Sequence, residues 1–256
     1  MRILTWNMAG AGFHTGAPHS AAWEWLRNEA SFDVAMLQEA IPPAGLDSSF
    51  ATALFRSRFP AQGLAWGNCI LAHEYDYNYT LLEPTRVAWA ASSMNAALIA
   101  EPVGDLPVLV NVHSNAKPIA EFPREEFIRA GGLACHSAKV WEIEVLAHQI
   151  RPVLDGRRFV LGGDLNAGLL LDEVYGYKNN ENLWNNLATQ GYLDLRTRHS
   201  ETEQQTFFRE KTNPYQLDHF FGDPSTEASV KHWAVLTEVA QDLKLSDHAP
   251  VVIDLA

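Results

Sequence analysis

The sequence predicts an α/β fold in which packed β-sheets carry helices on their outer faces, and three observations support that reading. Short apolar runs rich in β-branched residues recur along the chain at about strand length. Several are apolar on both faces, the pattern of strands covered on each side. Helical stretches are interspersed among them, with no internal repeat and no low-complexity linker, so the 256 residues read as a single domain.

Strands are expected, in order, in "RILTWN", "DVAMLQE", "NCILAH", "AALIAE", "LPVLVNVHS", "RRFVLGGD", "QLDHFF", "HWAVLTEV" and "APVVIDL". Helices are expected in "SAAWEWLRNEA", with Ser20 as N-cap, and in "SAKVWEIEVLAHQI", with Ser137 as N-cap. In the second, Val140, Ile143, Ala147 and Ile150 fall on one face. A shorter helix, "NLWNNLATQG", has Gly191 just past its end. The Gly-rich "AGAGFHTGAPHS" matches no Walker or dinucleotide fingerprint and reads as a turn leading into the first helix.

Hydrophobic residues at 47% and charged residues at 20% are ordinary for a globular protein with a large core. No apolar run approaches the length of a membrane helix, and "MRILTWNMAG" lacks the basic start and cleavage site of a secretory signal. The two cysteines, Cys69 and Cys135, offer neither a disulfide framework nor zinc-site spacing, so the expected compartment is the cytoplasm. Cys69, inside "NCILA", reads as a small core residue. A formal charge of −12 argues against a strong sequence-independent grip on nucleic acid. It does not exclude such a substrate, because bound divalent cations add positive charge of their own.

Polar side chains gather at strand ends. Asn7 closes the first strand, Glu39 the second and His113 "VLVNVH"; Asp164 and Asn166 close "RRFVLGGDLN", and Asp247 and His248 precede "APVVIDL". Taken singly, an Asn or Asp at a strand end makes a turn, and a lone Glu or His is usually solvated or satisfied in the core. Together, three carboxylates, two amides and two histidines at strand ends imply a shared pocket.

These residues resemble the endonuclease/exonuclease/phosphatase superfamily of DNase I-like phosphoesterases. The resemblance runs in order through "TWNMAG", "VAMLQEA", "WGNCILA", "VNVHSNA", "LGGDLNAG", "YQLDHFF" and "LSDHAPVVIDL", of which "GGDLN" and "SDHAPV" are the most specific. It implies a sandwich of two packed mixed β-sheets flanked by helices, and hydrolysis dependent on Mg²⁺, with Mn²⁺ as a substitute. By that resemblance Glu39 is the main metal ligand, with Asn7 and Asp247 close by. Asp164 orients and deprotonates the attacking water, and Asn166 donates to a phosphate oxygen. His248 contacts the scissile phosphate, oriented by Asp218 of "QLDHFF", and His113 is a second cationic or acid group. Gly162 and Gly163 would let backbone and substrate approach closely. His219 departs from the usual Tyr or apolar residue and, as the strand neighbour of Asp218, is expected to face away.

Substrate choice belongs to the loops. Residues 196–211 carry Arg196, Arg198, Arg209 and Lys211 with Phe207 and Phe208, offset by Glu201, Glu203 and Glu210. Arg209, Lys211 and Asn115 are the candidate substrate contacts, with Trp66 and Trp89 as possible stacking rings. The leading expectation is a nuclease, most simply an endonuclease, acting on DNA or RNA, with no membrane span and no obligate protein partner. The alternatives are a small-molecule phosphatase or phosphodiesterase and, behind it, a silent binding protein.

Overall fold

The structure, a computed structural model, describes residues 1–10, 19–58, 63, 65–80, 96–132, 139–209 and 214–256. Lys211, Trp89, Cys135 and Ser137 lie outside the described residues, as does most of the Gly-rich stretch after the first strand.

Two six-stranded sheets pack face to face. The first contains β1 (Arg2–Asn7), β2 (Val34–Ala40), β3 (Thr52–Ser57), β4 (Gly67–Ala72), β11 (Val230–Val235) and β12 (Val251–Leu255), in the order β11-β12-β1-β2-β4-β3. The second contains β5 (Tyr77–Thr80), β6 (Ala97–Pro102), β7 (Val108–His113), β8 (Phe159–Asp164), β9 (Leu193–Asp194) and β10 (Asp218–Gly222), in the order β5-β6-β7-β8-β10-β9. Each sheet is mixed, with one parallel pair, β1–β2 and β7–β8, at its centre. Among the described residues the α-helices are α1 (Ser20–Asn28), α2 (Arg124–Arg129), α3 (Glu142–Leu154), α4 (Leu169–Tyr175), α5 (Asn179–Thr189), α6 (Pro224–Ser229) and α7 (Thr237–Gln241).

Period-two alternation explains the layering. Ile3, Val34, Met36 and Ile70 of the first sheet meet Leu98, Leu109, Val160 and Phe220 of the second in a buried cluster. Their strand neighbours Leu4, Trp6, Ala35 and Leu37 face outward onto Trp23 and Leu26 of α1. On the far side, Val110, Val112 and Leu161 pack under α3 and α5 through Ile143, Ala147, Ile150, Leu183 and Leu187. A buried polar group also crosses the sheet interface. The buried Asn111 amide donates to the carbonyls of Leu37 and Cys69, both at 2.8 Å, and its Oδ1 accepts from Gln38 at 2.7 Å. An unpaired amide there would be costly, and each of its polar atoms is satisfied.

Several local expectations are corrected. Ser20 is the first residue of α1 rather than its cap; His19 holds that position, and no side chain caps the helix. The third helix starts at Glu142, so Val140 lies outside it, and the Glu144 carboxylate accepts the Trp141 N–H at 2.6 Å to close its first turn. The run "HWAVLTEV" stays extended only to Val235 and turns helical from Thr237. The strands β3, β5 and β9 were not foreseen: β3 is mostly only partly buried, β5 has four residues and β9 two.

Gly162 and Gly163 serve the sheets rather than the substrate. Strand β8 runs unbroken through both, and a Cβ on Gly162 would stand 2.6 Å from the Phe220 ring. Gly163 has φ +145°, and a Cβ there would meet the Val112 carbonyl oxygen at 1.9 Å. We expect Gly163→Ala to destabilise the fold by about 1–3 kcal/mol or more, the range for overpacking, read as a fall in Tm. An unchanged Tm would remove the packing role.

Candidate active site

Strand register assembles the site. Asn7 pairs with Gln38 across β1–β2, which puts Asn7 beside Glu39 at the ends of two parallel strands. In the other sheet, His113 pairs with Asp164, and Asp164 pairs with Asp218. The loop before β12 brings Asp247 and His248 over these ends: Trp6 Nε1 donates to the His248 carbonyl at 2.9 Å, and Ser246 Oγ donates to the Asn7 carbonyl at 2.7 Å.

Two side chains are aimed by backbone that ordinary residues seldom adopt. Glu39 has φ +49° at a bulge where the β2–β4 register slips between Leu37 and Ala40, and Asn166 also has φ +49°. Positive φ in a non-glycine residue carries strain that clusters at functional sites, and bulges re-aim side chains. The result is a pocket of about 900 Å³ whose polar wall includes Asn7, Glu39, Asp164, Asn166, Asp247, His248 and Arg209.

Asp164 lies at the centre and is buried. Its Oδ1 accepts the Asn166 N–H at 2.8 Å, and its Oδ2 accepts the Asn7 side-chain amide at 2.9 Å. Burial pushes its carboxyl up to about 7; the Asp218 charge also raises it, while His248 and the two donors lower it. His248 donates through Nδ1 to Asp218 Oδ2 at 2.8 Å, and its Nε2 stands 3.9 Å from Asp164 Oδ2. Burial alone would lower the imidazole pKa, but the charge and hydrogen bond of Asp218, with Asp164 and Asp247, raise it to about 10. His248 is therefore a cation at neutral pH, with its ring oriented by Asp218.

His113 is different. Burial and the positive charges of Arg58 and His248 hold its pKa down to about 3. Its Nε2 is 3.5 Å from Glu39 Oε1 and 3.9 Å from Asp164 Oδ2, longer than hydrogen bonds, so these carboxylates do not offset desolvation. The cationic role expected of His113 does not suit this setting; the ring is neutral.

Other expected contacts fall elsewhere. Asn115 is exposed and outside the pocket wall, its backbone N–H donating to Glu142 at 2.8 Å. Glu142 in turn holds Arg58 at 2.6 Å with both side chains buried, which anchors the loop after β7. Arg196 is buried against Asp194, and Glu203 accepts the N–H groups of Leu169 and Leu170 at the start of α4, so neither faces substrate. His219 faces away as expected, packed edge-on to Trp184 with Nε2 2.9 Å from the Ala167 carbonyl oxygen. The Asn166 amide donates to the Ser114 carbonyl at 2.8 Å, which commits one of its two side-chain hydrogens. Trp66 lies beside the site, 5.7 Å from the His113 ring.

The sequence reading missed the pocket's aromatic wall. Trp141, Tyr175, Tyr177 and Tyr215 line it with Phe207, whose ring is 4.9 Å from that of His248. The tyrosines come from the end of α4 and from connecting segments, where no periodicity marks them.

Carboxyl groups outnumber cationic side chains around the pocket. Glu39, Asp164 and Asp247 in the wall, and Asp218 behind His248, give four carboxyl groups against His248 and Arg209. Among the described residues no three His, Cys, Asp or Glu side chains form an enclosing metal cluster. A hard ion that keeps most of its waters needs only one or two carboxylates, so Glu39 suits Mg²⁺ better than a metal that demands a full protein cage. Glu39→Gln is therefore expected to raise the Mg²⁺ concentration for half-maximal activity by about tenfold or more. An unchanged metal titration would remove Glu39 from contact with the ion.

The fold agrees with comparison to known proteins. The chain is similar in structure to a 3′ phosphatase, NExo, from Neisseria bound to product DNA hairpin (17% identity, TM-score 0.67). It is also similar to the 3′-5′ exonuclease NExo from Neisseria meningitidis (18%, 0.69) and to an AP endonuclease from Archaeoglobus fulgidus (13%, 0.68). Each match covers 100% of this chain and 99% of the other. At these identities the likeness establishes the fold. No curated protein matches the sequence. Among the described residues no helix is long and apolar enough to cross a membrane. The profile of the Endonuclease/Exonuclease/phosphatase family matches residues 4–248, from the first buried strand to His248, and so the chain belongs to that family of DNase I-like phosphoesterases.

Proposed function

We propose that the protein is a divalent-metal-dependent nuclease that hydrolyses phosphodiester bonds in DNA or RNA by attack of a water activated by Asp164. The observation that carries this reading is the buried trio of Asp164, His248 and Asp218. It places a carboxyl raised to about 7 within 3.9 Å of an imidazole raised to about 10. A base near neutral pH and a fixed cation are what attack on an anionic ester requires.

Asp164 takes the proton of the attacking water, its plane fixed by Asn7 and the Asn166 N–H. His248 offers Nε2–H to a non-bridging phosphate oxygen, where negative charge grows in the transition state. The second amide hydrogen of Asn166 is assigned to another phosphate oxygen. Glu39, with Asn7 and Asp247 beside it, would hold Mg²⁺ or Mn²⁺, which supplies charge neutralisation of the phosphate when bound. Arg209 is the candidate for a flanking phosphate, and a cytoplasmic setting is part of the same proposal.

The neighbours' DNA-directed activities support a nucleic-acid substrate. The net charge of −12 favours a second reading, a small phosphoester. Both are tested with purified protein in Mg²⁺ or Mn²⁺, with and without EDTA. The substrates are supercoiled plasmid, 3′-labelled single-stranded DNA, a 3′-phosphorylated oligonucleotide, RNA and a sugar phosphate. EDTA-sensitive nicking or shortening of nucleic acid supports the nuclease, and its pattern separates internal from terminal cleavage. Turnover of the sugar phosphate with intact nucleic acids would overturn the nuclease in favour of the second reading.

A further inference from the structure

The aromatic wall of the pocket bears on what lies beside the scissile phosphate. Tyr175 and Tyr177 are stacked on each other, with ring centroids 5.7 Å apart and planes within 6°. Both are among the exposed large hydrophobic side chains, at 59% and 43%, although they line the same pocket as Glu39, Asp164 and His248. Two aromatic rings held parallel and left open to solvent gain little for the fold, because the area they remove from water is small. The pair is also tied to the site. Tyr215 Oη donates to Tyr175 Oη at 3.4 Å, and Tyr215 forms an isolated β-bridge to Phe207, whose backbone bridges in turn to His248. The platform is thus connected through one short path to the imidazole assigned to the phosphate.

The surroundings limit what can lie there. Tyr175 is followed by Gly176 at φ +70°, the left-handed turn that ends α4 and brings Tyr177 back beside Tyr175. Arg209 is the sole Lys or Arg in the described pocket wall, and the exposed tyrosine faces stand beside it. A flat, neutral, π-rich surface next to a phosphate site suits a planar ring joined to that phosphate through a sugar, which is the layout of a nucleotide.

Building on the nuclease reading above, we propose that Tyr175 and Tyr177 form a stacking subsite for the nucleobase adjacent to the scissile phosphate. The enzyme would then select nucleotides by base stacking on this pair rather than by a basic track along the strand. Stacking tolerates any base, because every base has a π face, so the subsite confers preference for a nucleotide without strong sequence preference.

The test compares a dinucleotide carrying 2-aminopurine with its analogue in which tetrahydrofuran replaces that nucleoside. In the wild type the dinucleotide is expected to have a KM lower by about tenfold, the size of one base–aromatic stack, and its 2-aminopurine fluorescence should be quenched on binding. In Tyr175→Ala/Tyr177→Ala the KM ratio should fall to about one and the quenching should disappear. Tyr175→Phe/Tyr177→Phe, which keeps both π faces, should preserve both. Equal KM values for the two substrates in the wild type, or a ratio unmoved by the double alanine change, would overturn the subsite while leaving the nuclease standing. If the wild type cleaves no nucleic acid, the functional reading fails, and the quenching signal then decides the subsite alone. Quenching that depends on the two tyrosines supports it, and its absence overturns it.

Discussion

Asp164→Asn is expected to lower kcat by about 10²–10⁴-fold, the usual contribution of a positioned general base, while the protein stays folded. The replacement keeps the shape and one acceptor for the Asn166 N–H or the Asn7 amide, which now bond the two carboxylate oxygens. It removes the basic oxygen. Stability should not fall in parallel, for a reason of sign. The Asp164 carboxyl is raised to about 7 in the folded protein, chiefly by burial, so its ionisation opposes folding. That penalty is absent below the unfolded value of about 3.9, grows as pH rises, and is complete above about 7. At neutral pH the neutral amide avoids it, offsetting the hydrogen bond that one donor loses. The wild-type rate should climb with pH along a limb at or below about 7, since a cation held by Glu39 favours the carboxylate. Near-normal turnover by the variant, or a rising limb unchanged in it, would remove Asp164 as the base.

Asp218→Asn should have an effect of comparable size through a different group. Asp218 is fully buried and is the partner of His248 Nδ1. Without its charge and hydrogen bond, only Asp164 and Asp247 oppose burial, and the imidazole pKa should fall from about 10. The ring would then lose the charged acceptor that fixes its orientation and favours its positive charge, leaving a weaker donor for the phosphate oxygen, and kcat should drop by about 10²–10³-fold, the cost of one transition-state donor. The falling limb of the pH–rate profile should move from near 10 to lower pH. Stability follows the rule for a raised base: the His248 contribution is fully present below the unfolded value of about 6.5 and is lost as pH rises through about 10. Wild type and variant should therefore differ most in Tm at mildly acid pH and converge above about 10. A falling limb that stays in place would show that something other than Asp218 holds the proton on His248.

Much of the site was legible because hard chemistry sits at strand ends. Asn7, Glu39, Asp164, Asn166, Asp247 and His248 each close or precede an apolar run, and the structure brings all six into one pocket. Asp218 was legible only through the family resemblance of "QLDHFF", and His219 as its opposite-facing strand neighbour. The reading went astray where burial and backbone shape decide. The neutral state of His113 depends on Arg58 and desolvation, and Arg58 reaches it through a salt bridge to Glu142, 84 positions away in sequence. Gly162 and Gly163 seemed aimed at substrate, but their reason is Phe220 and the Val112 carbonyl, contacts that exist only once two strands pair.

The sequence by itself determined the layered α/β fold, its principal strands and the residue types at their ends, because alternation of apolar residues and the chemistry of carboxylate, amide and imidazole are local properties. Only the tertiary structure decided which of those groups is charged, which ones touch and what surrounds them. The strand register that sets Asp164 between His113 and Asp218, and the bulge that turns Glu39 inward, arise from pairing between distant segments. So does the aromatic wall at Tyr175, Tyr177 and Tyr215, whose members follow no period along the chain and meet only when α4 and the segment before β10 fold over the strand ends.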